Sequence, residues 1–428
     1  MYKKIELFFI YVTIFFSSIT YFKEPFEGYL HYVIFMVFFP FFIIRYGFPK
    51  LPFQILFIPF IAGVMYIFIG SNTWPQFLKI FLGIFLSSTF YYYVFQFYDL
   101  DVERLYKVYL LGCVFVSLVG IFQYFSYQIG FYEGYDYRPF LNKWGLTKNL
   151  TGGLRINSIF SEPSQFAIML GPASFAAIHC LVFGSRKFFN VFESSVVLIA
   201  LLLSTSSTGY IGVFLVVILL GINYGKIVNI LFGISILFIA SSMLYNYIPE
   251  FKTRMNAAKG LWIDGDFSLD NINSSSFVLY NNYTIALKNF EKSPIFGTGL
   301  GSHQFAFEKY SLTSDKKFLD ITFNKSDANS LFLRLLSETG LLGVVSMLLF
   351  LFKFFVKRKP NDLNDDFSWV ISSSILVIIL LYLLRQGNYF INGFPFFLFL
   401  YYYNSVLPKT PELKENDENK PTLELNKN

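Results

Sequence analysis

Apolar stretches long enough to cross a bilayer follow one another along most of this chain. A helix needs roughly 20 such residues to span a hydrocarbon core about 30 Å thick, because in lipid every backbone N–H and C=O must be paired within the segment. On that rule spans fall near 5–22, 29–44, 51–70, 76–97, 106–131, 164–184, 190–206, 209–224, 227–248, 329–352, 368–385 and 389–406. The pattern predicts an all-α, polytopic membrane bundle of about twelve helices, with tight turns joining the spans at Thr205 to Gly209 and Arg385 to Asn388. Residues 1–248 hold nine spans, 249–327 form one large outer loop, 328–406 hold three more spans, and 407–428 are a polar tail expected to be disordered and cytoplasmic.

Composition agrees with a life in lipid: 54% of the residues are hydrophobic, 21% aromatic and only 14% charged, far from the balance of a soluble domain. The basic residues set an orientation, because cytoplasmic loops carry the excess of Lys and Arg. Counting from Lys3 and Lys4 inside, Arg45/Lys50, Arg104/Lys107, Arg186/Lys187, Lys226 and Lys353/Lys357/Arg358/Lys359 all fall on the cytoplasmic side, as do both termini. Arg138, Lys143, Lys148 and Arg155 break the pattern in one outer loop, which points to an anionic ligand there. The first apolar run lacks a small-residue cleavage site and is expected to be retained as a span.

Cys113 and Cys180 lie inside spans, so no disulfide framework supports the outer loop. The chain has no Walker loop, dinucleotide fingerprint, HExxH or CxxC, and nothing points to a cofactor, a metal or nucleic acid.

The first candidate constellation is RINSIFSEPSQFAIML, starting at Arg155. Ser161 suits the cap of a helix and Pro163 its first turn, where a missing N–H costs nothing. A bare capping sequence is one reading of Glu162 to Ser164. The other is an anion site, since a helix start offers free N–H groups and Arg155 offers a planar fork for two phosphate oxygens. The second constellation, DANSLFLRLLSETGLLG, starts at Asp327 and places Glu338 about 13 Å below Asn329 at 1.5 Å per residue. An intramembrane carboxylate is a functional candidate by default. Arg334, four residues earlier, neutralises it on the same helical face, and a purely structural pair is the alternative. Arg385 ends the eleventh span as a ligand group or a snorkelling anchor. In KSPIFGTGLGSHQF the proline and three glycines mark a tight, close-approach turn. His303 follows it, expected outside the membrane as a base or an ordinary surface residue. Arg254 adds positive charge where the loop leaves the ninth span.

These motifs, in this order around one long outer loop, resemble the O-antigen polymerases (Wzy type) and O-antigen ligases. The likeness is carried by about 155–170, 204–212, 292–303 and 327–343. The resemblance implies a GT-C-like helical fold in the bacterial plasma (inner) membrane and glycosyl transfer without metal or nucleotide. A glycan would leave its undecaprenyl pyrophosphate carrier for the next lipid-linked repeat unit in a polymerase, or for lipid A-core in a ligase. It also implies membrane lipid, a chain-length regulator and a flippase as partners. In these terms Arg155, Glu162, His303 and Asp327 are the catalytic candidates, and Ser164, Arg254, Asn329, Arg334, Glu338 and Arg385 the substrate-binding ones.

The chain also departs from the family. Ligases and many relatives carry a histidine where Asn329 stands, and asparagine is no base, which favours a polymerase. An arginine common at the top of the span after the sixth is absent from STSSTGYIG, where Thr208 and Gly209 stand, and another, upstream of PIFG, is replaced by Leu279. Arg254 or Arg385 is then expected to compensate. A flippase or transporter would bind the same lipid without chemistry. Such proteins favour internal repeats and midplane charges, whereas no repeat is evident here and the polar groups gather at the outer lip.

Overall fold

The computed structural model describes residues 9–22, 28–141, 145–149, 152–225, 233, 235, 238–239, 241–243, 245–247, 249–265, 274–313, 324–359 and 367–407. It is an all-α bundle, apart from a small hairpin in which β1 (Thr20–Phe22) pairs antiparallel with β2 (Gly28–Tyr29). Among the described residues, six helices are long and apolar enough to cross a membrane: α2 (Lys50–Phe68), α3 (Trp74–Phe97), α4 (Val102–Gln128), α8 (Ser207–Tyr224), α12 (Leu331–Lys353) and α13 (Ser368–Arg385).

The remaining expected spans are shorter or broken. The sixth is a bent pair, α5 (Pro163–Met169) and α6 (Gly171–Phe183), meeting at 54°. Pro172 has no N–H for the Ile168 carbonyl, and the Met169 carbonyl at the break accepts from the Tyr109 hydroxyl instead. Helices α1 (Leu30–Tyr46), α7 (Val191–Leu203) and α14 (Phe394–Val406) have 17, 13 and 13 residues. Thirteen residues reach only about 20 Å, short of a full crossing. The first expected span bends: its described part is helical through the π-turn Tyr11–Phe15 and then enters the hairpin. The expected span 227–248 lies partly, and the tail beyond 407 wholly, outside the described residues.

Helix α13 is the axis of the bundle, packed by α6, α8, α12 and α14. Its apolar window is 72% buried, against 11% for the peripheral α2. Small residues allow that crowding: Ser372, Ser373 and Ser374 are all fully buried, with the Ser372 hydroxyl accepting from Val356 N and that of Ser373 from the Asn223 amide. Around α1 and α3 the core is aromatic, with Phe35 and Phe90 centroids 4.4 Å apart and Phe9 edge-on to Phe90 at 6.0 Å.

The large loop contributes α9 (Pro249–Lys259), a π-helical turn (Gly260–Asp264), α10 (Ser274–Lys292) and α11 (His303–Tyr310). Its glycine-rich segment is wedged into a break in α12. At Gly340 the backbone takes φ 60°, ψ −153°, and the groups freed there are paired by the loop. Gly299 N donates to Glu338 O at 2.8 Å, Leu341 N to Pro294 O at 2.8 Å and Leu342 N to Ile295 O at 3.0 Å. Gly297, at φ +70°, lies so close that an added Cβ would sit 2.4 Å from the Glu338 backbone. From the other side the Tyr66 hydroxyl donates to Phe296 O at 2.8 Å and the Asn72 amide to Leu300 O at 2.6 Å. The close approach expected of this turn is thus to the broken helix and to the ends of α2 and α3.

Candidate functional site

Arg155 lies on a loop held by buried amides. Gln123 of α4 accepts from Asn157 N at 3.0 Å and Ser158 N at 2.9 Å, and the Ser158 hydroxyl donates to Val116 O at 2.7 Å. A glutamine in an otherwise apolar span was a legible sign of such a role. Thus anchored, Arg155 Nε donates to Thr205 Oγ1 at 3.1 Å. Arg254 reaches the same turn from α9, its Nη1 donating to Thr205 O at 3.2 Å and Ser207 Oγ at 3.3 Å. Thr205 has φ 43°, a left-handed conformation that is strained for a β-branched residue, and in it both its hydroxyl and its carbonyl serve the two arginines.

Arg254 brings its guanidinium to the turn just before Thr208 and Gly209. No side chain longer than hydrogen fits at Gly209 without displacing neighbours: a Cβ there would lie 3.1 Å from Leu201 and 3.4 Å from Ala167. Thr208 is buried beside it. Leu279 packs in a small apolar joint with Ala286, Ala328 and Leu333.

Glu162 is the cap residue of α5, ahead of Ser164, but makes no side-chain capping bond. Pro163 opens the first turn as expected, but Ser161 lies one residue ahead of the cap position and no side chain caps the helix. The Glu162 carboxylate is exposed, accepts from the Ser164 hydroxyl at 2.9 Å, and lies within electrostatic reach of both Arg155 and Arg385. Arg155, Arg254 and Arg385 are half-buried, and none is ion-paired with another described residue. Two guanidiniums, those of Arg155 and Arg385, thus lie within electrostatic reach of one carboxylate, and a third, that of Arg254, meets Arg155 at the Thr205 turn. Burial first, and the neighbouring Arg254 second, push the Arg155 pKa down to about 10. It stays charged at neutral pH, and an anion bound between the arginines would relieve the strain of crowding them.

The second constellation is a buried clamp. Arg334 Nε meets Glu338 Oε1 at 3.0 Å with both side chains fully enclosed. Arg334 Nη1 donates to Gly387 O at 3.0 Å, its guanidinium lies 4.3 Å from the Tyr389 ring centroid, and the Tyr389 hydroxyl donates to Glu338 Oε2 at 2.9 Å. Ser330 Oγ donates to Leu383 O at 2.6 Å. Bonds at 383 and 387 thus bracket Arg385, so this pair positions the lip while lying beneath it. No sequence signal marked Tyr389. Asp327 is half-buried, its Oδ1 accepting from the Asn324 amide at 2.8 Å and Asn329 N at 3.2 Å. A Cβ on Gly387 would strike the Asp327 carbonyl, so this turn too rests on the segment after Arg385.

His303 is not at the surface. It is fully buried, with Nε2 3.0 Å from Asn282 Oδ1 and Nδ1 3.1 Å from Ser337 Oγ. The Asn282 amide nitrogen donates to Val278 O at 2.9 Å, which turns its oxygen to the ring, so Nε2 carries the proton and Nδ1 accepts from Ser337. Ser337 accepts in turn from the Asn289 amide at 2.9 Å. With both nitrogens engaged, His303 joins α10, α11 and α12 and has none free to act as a base.

Burial first and Arg334 second push the His303 pKa down to about 3. An exposed histidine titrates near 6.5, so the docked loop is fully stable above that pH and loses stability as pH falls from there towards 3. At pH 5 the loss is about 2 kcal/mol. Hydrogen exchange over 274–310 is expected to quicken from pH 7 to pH 5, after correction for intrinsic rates, and His303→Gln to remove that pH dependence. A variant that keeps the wild-type dependence would assign it to another group.

A family model described as O-antigen ligase matches residues 194–348, from α7 through the large loop to α12, and over that stretch the chain is similar to O-antigen ligases. Arg254, His303, Asp327, Asn329, Arg334 and Glu338 fall within the match, whereas Arg155, Glu162, Ser164 and Arg385 fall outside it. No curated protein matches the chain.

Proposed function

We propose that this protein is a membrane glycosyltransferase that polymerises lipid-linked oligosaccharide repeat units at the outer face of the plasma membrane. One observation carries the reading: Arg155 and Arg254 meet at the Thr205 turn, and Arg155 and Arg385 both lie within electrostatic reach of Glu162, none of the three being ion-paired among the described residues. The donor's bond between the sugar anomeric carbon and the pyrophosphate oxygen breaks as the acceptor hydroxyl attacks that carbon. Negative charge grows on the departing undecaprenyl pyrophosphate, and preorganised guanidiniums stabilise that charge more than they stabilise the ground state.

The acceptor hydroxyl gives its proton to a carboxylate. Glu162 is the better placed, exposed within reach of Arg155 and Arg385 and steadied by Ser164; Asp327 is the other candidate. Asn329, Arg334, Glu338 and His303 support the site from beneath.

A second reading, O-antigen ligase, is favoured by the description of the matching family model. Asn329, at a position where ligases carry histidine, favours the polymerase. A gel of surface and lipid-linked polysaccharide from a strain lacking the gene separates them. Glycan one repeat unit long, restored to a ladder by the intact gene, is the expected result. Long chains stranded on undecaprenyl pyrophosphate would make it a ligase, and single units trapped on the inner leaflet a flippase. An unchanged pattern would sink both transferase readings.

A further inference from the structure

The large loop also carries an aromatic cluster that this chemistry leaves unused. Helix α9, which brings Arg254 to the 205–207 turn, runs directly into the π-helical turn Gly260–Asp264. Trp262 on that turn is 42% exposed, its ring 5.0 Å from Tyr280 at 82° and 5.3 Å from Tyr283 at 55°, both on α10. Tyr283 is exposed as well, and the exposed carboxylate of Asp264 follows two residues on.

The rings stand on firm ground. Leu261 is buried beneath the turn, and α10 is tied down by the Asn282 and Asn289 amides to His303, Thr298 and Ser337. A clustered, exposed aromatic patch outside the spanning helices marks a contact surface.

Two features identify its occupant. Flat apolar faces beside a hydrogen-bonding carboxylate match a pyranose, which offers C–H bonds on its face and hydroxyls on its rim. The patch also shares a helix with the anion site: Trp262 lies about two helical turns beyond Arg254, roughly 12 Å along the axis. A ligand whose pyrophosphate rests on Arg254 would lead its sugars towards Trp262.

We infer that Trp262, Tyr280 and Tyr283 form a stacking platform for the sugar rings of the lipid-linked oligosaccharide. The direction of approach rests on the proposed function; the stacking itself does not. The test uses purified full-length protein and two probes. One is oligosaccharide released by mild acid from the lipid carriers of the deletion strain and end-labelled with a fluorophore. The other is inorganic pyrophosphate.

Trp262→Ala should weaken oligosaccharide binding about tenfold and Trp262→Phe less than about threefold, with pyrophosphate affinity unchanged in both. Tyr283→Ala, which removes an exposed ring from a helix surface, repeats the test should Trp262→Ala fail to accumulate. Oligosaccharide affinity that survives both alanine substitutions overturns the platform. So does strong quenching of Trp262 fluorescence by brominated lipid in nanodiscs of a variant with Trp74, Trp144 and Trp369 replaced by Phe, since that would place the ring in the bilayer interface, where aromatics also gather. Pyrophosphate binding that is absent, or indifferent to Arg155→Ala and Arg254→Ala, sinks the transferase reading while leaving the oligosaccharide result to stand alone.

Discussion

Alanine in place of Arg155 is expected to abolish polymer, with transfer falling about 10²- to 10³-fold, while the protein stays in the membrane at its usual level. The two halves of that expectation have different causes. Stability changes little because the Arg155 side chain donates one hydrogen bond, to Thr205 Oγ1 at 3.1 Å, worth about 1 kcal/mol net. Its loop is held instead by Gln123, through the backbone of Asn157 and Ser158. Activity changes greatly because a guanidinium already crowded by Arg254 is aimed at charge that appears only as the pyrophosphate departs. Arg155→Lys keeps the charge but loses the planar fork, and an intermediate sugar ladder is expected. Arg254→Ala should shorten the ladder too. Ladder length and transfer rate in membranes, normalised to immunoblotted protein, check all three. An unchanged ladder in Arg155→Ala would remove the residue from the site, and loss of protein from the membrane would make its role structural.

Breaking the buried clamp should be costly in the opposite way. Arg334→Met leaves Glu338 enclosed with only the Tyr389 hydroxyl for company and strips Gly387 O of its donor. Removing one partner of a buried pair costs about 3–5 kcal/mol, because the remaining charge is uncompensated. Replacing both members, Arg334→Met with Glu338→Leu, leaves no stranded charge and is expected to recover most of that loss. Thermal unfolding in detergent measures the difference. The double variant should nevertheless polymerise poorly, since the Gly387 tether beside Arg385 is gone. A double variant as unstable as the single one would show that the two charges are not the energetic unit. One as active as wild type would show that the clamp does not position the lip.

The spans were legible in the chain because lipid offers a backbone no hydrogen-bonding partners, so any crossing segment must announce itself as an unbroken apolar run. Where the helices are shorter than the apolar runs or bent within them, composition alone did not show it. Pro172 lies in full view within the sixth run, yet its effect depends on Tyr109 accepting the role of partner to the Met169 carbonyl. The chemistry-bearing residue types, three arginines and a carboxylate at or near the ends of apolar runs, were likewise visible, as was the tightness of the GTGLG turn. Their mutual positions were not. Arg155, Arg254 and Arg385 come from segments far apart in the chain, and only packing of α9 on the 205–207 turn and of α12 against the end of α13 brings Arg254 to Arg155 and fixes the backbone around Arg385. His303 shows the same limit from the other side: a polar loop residue by sequence becomes a buried rivet because Asn282 and Ser337 engage both ring nitrogens, with Asn289 holding Ser337 in place. The sequence by itself determined a membrane bundle and the groups available for anion chemistry, since both follow from local composition. The tertiary structure alone decided which charges are exposed to a ligand and which are spent holding helices together, because that depends on partners from distant segments.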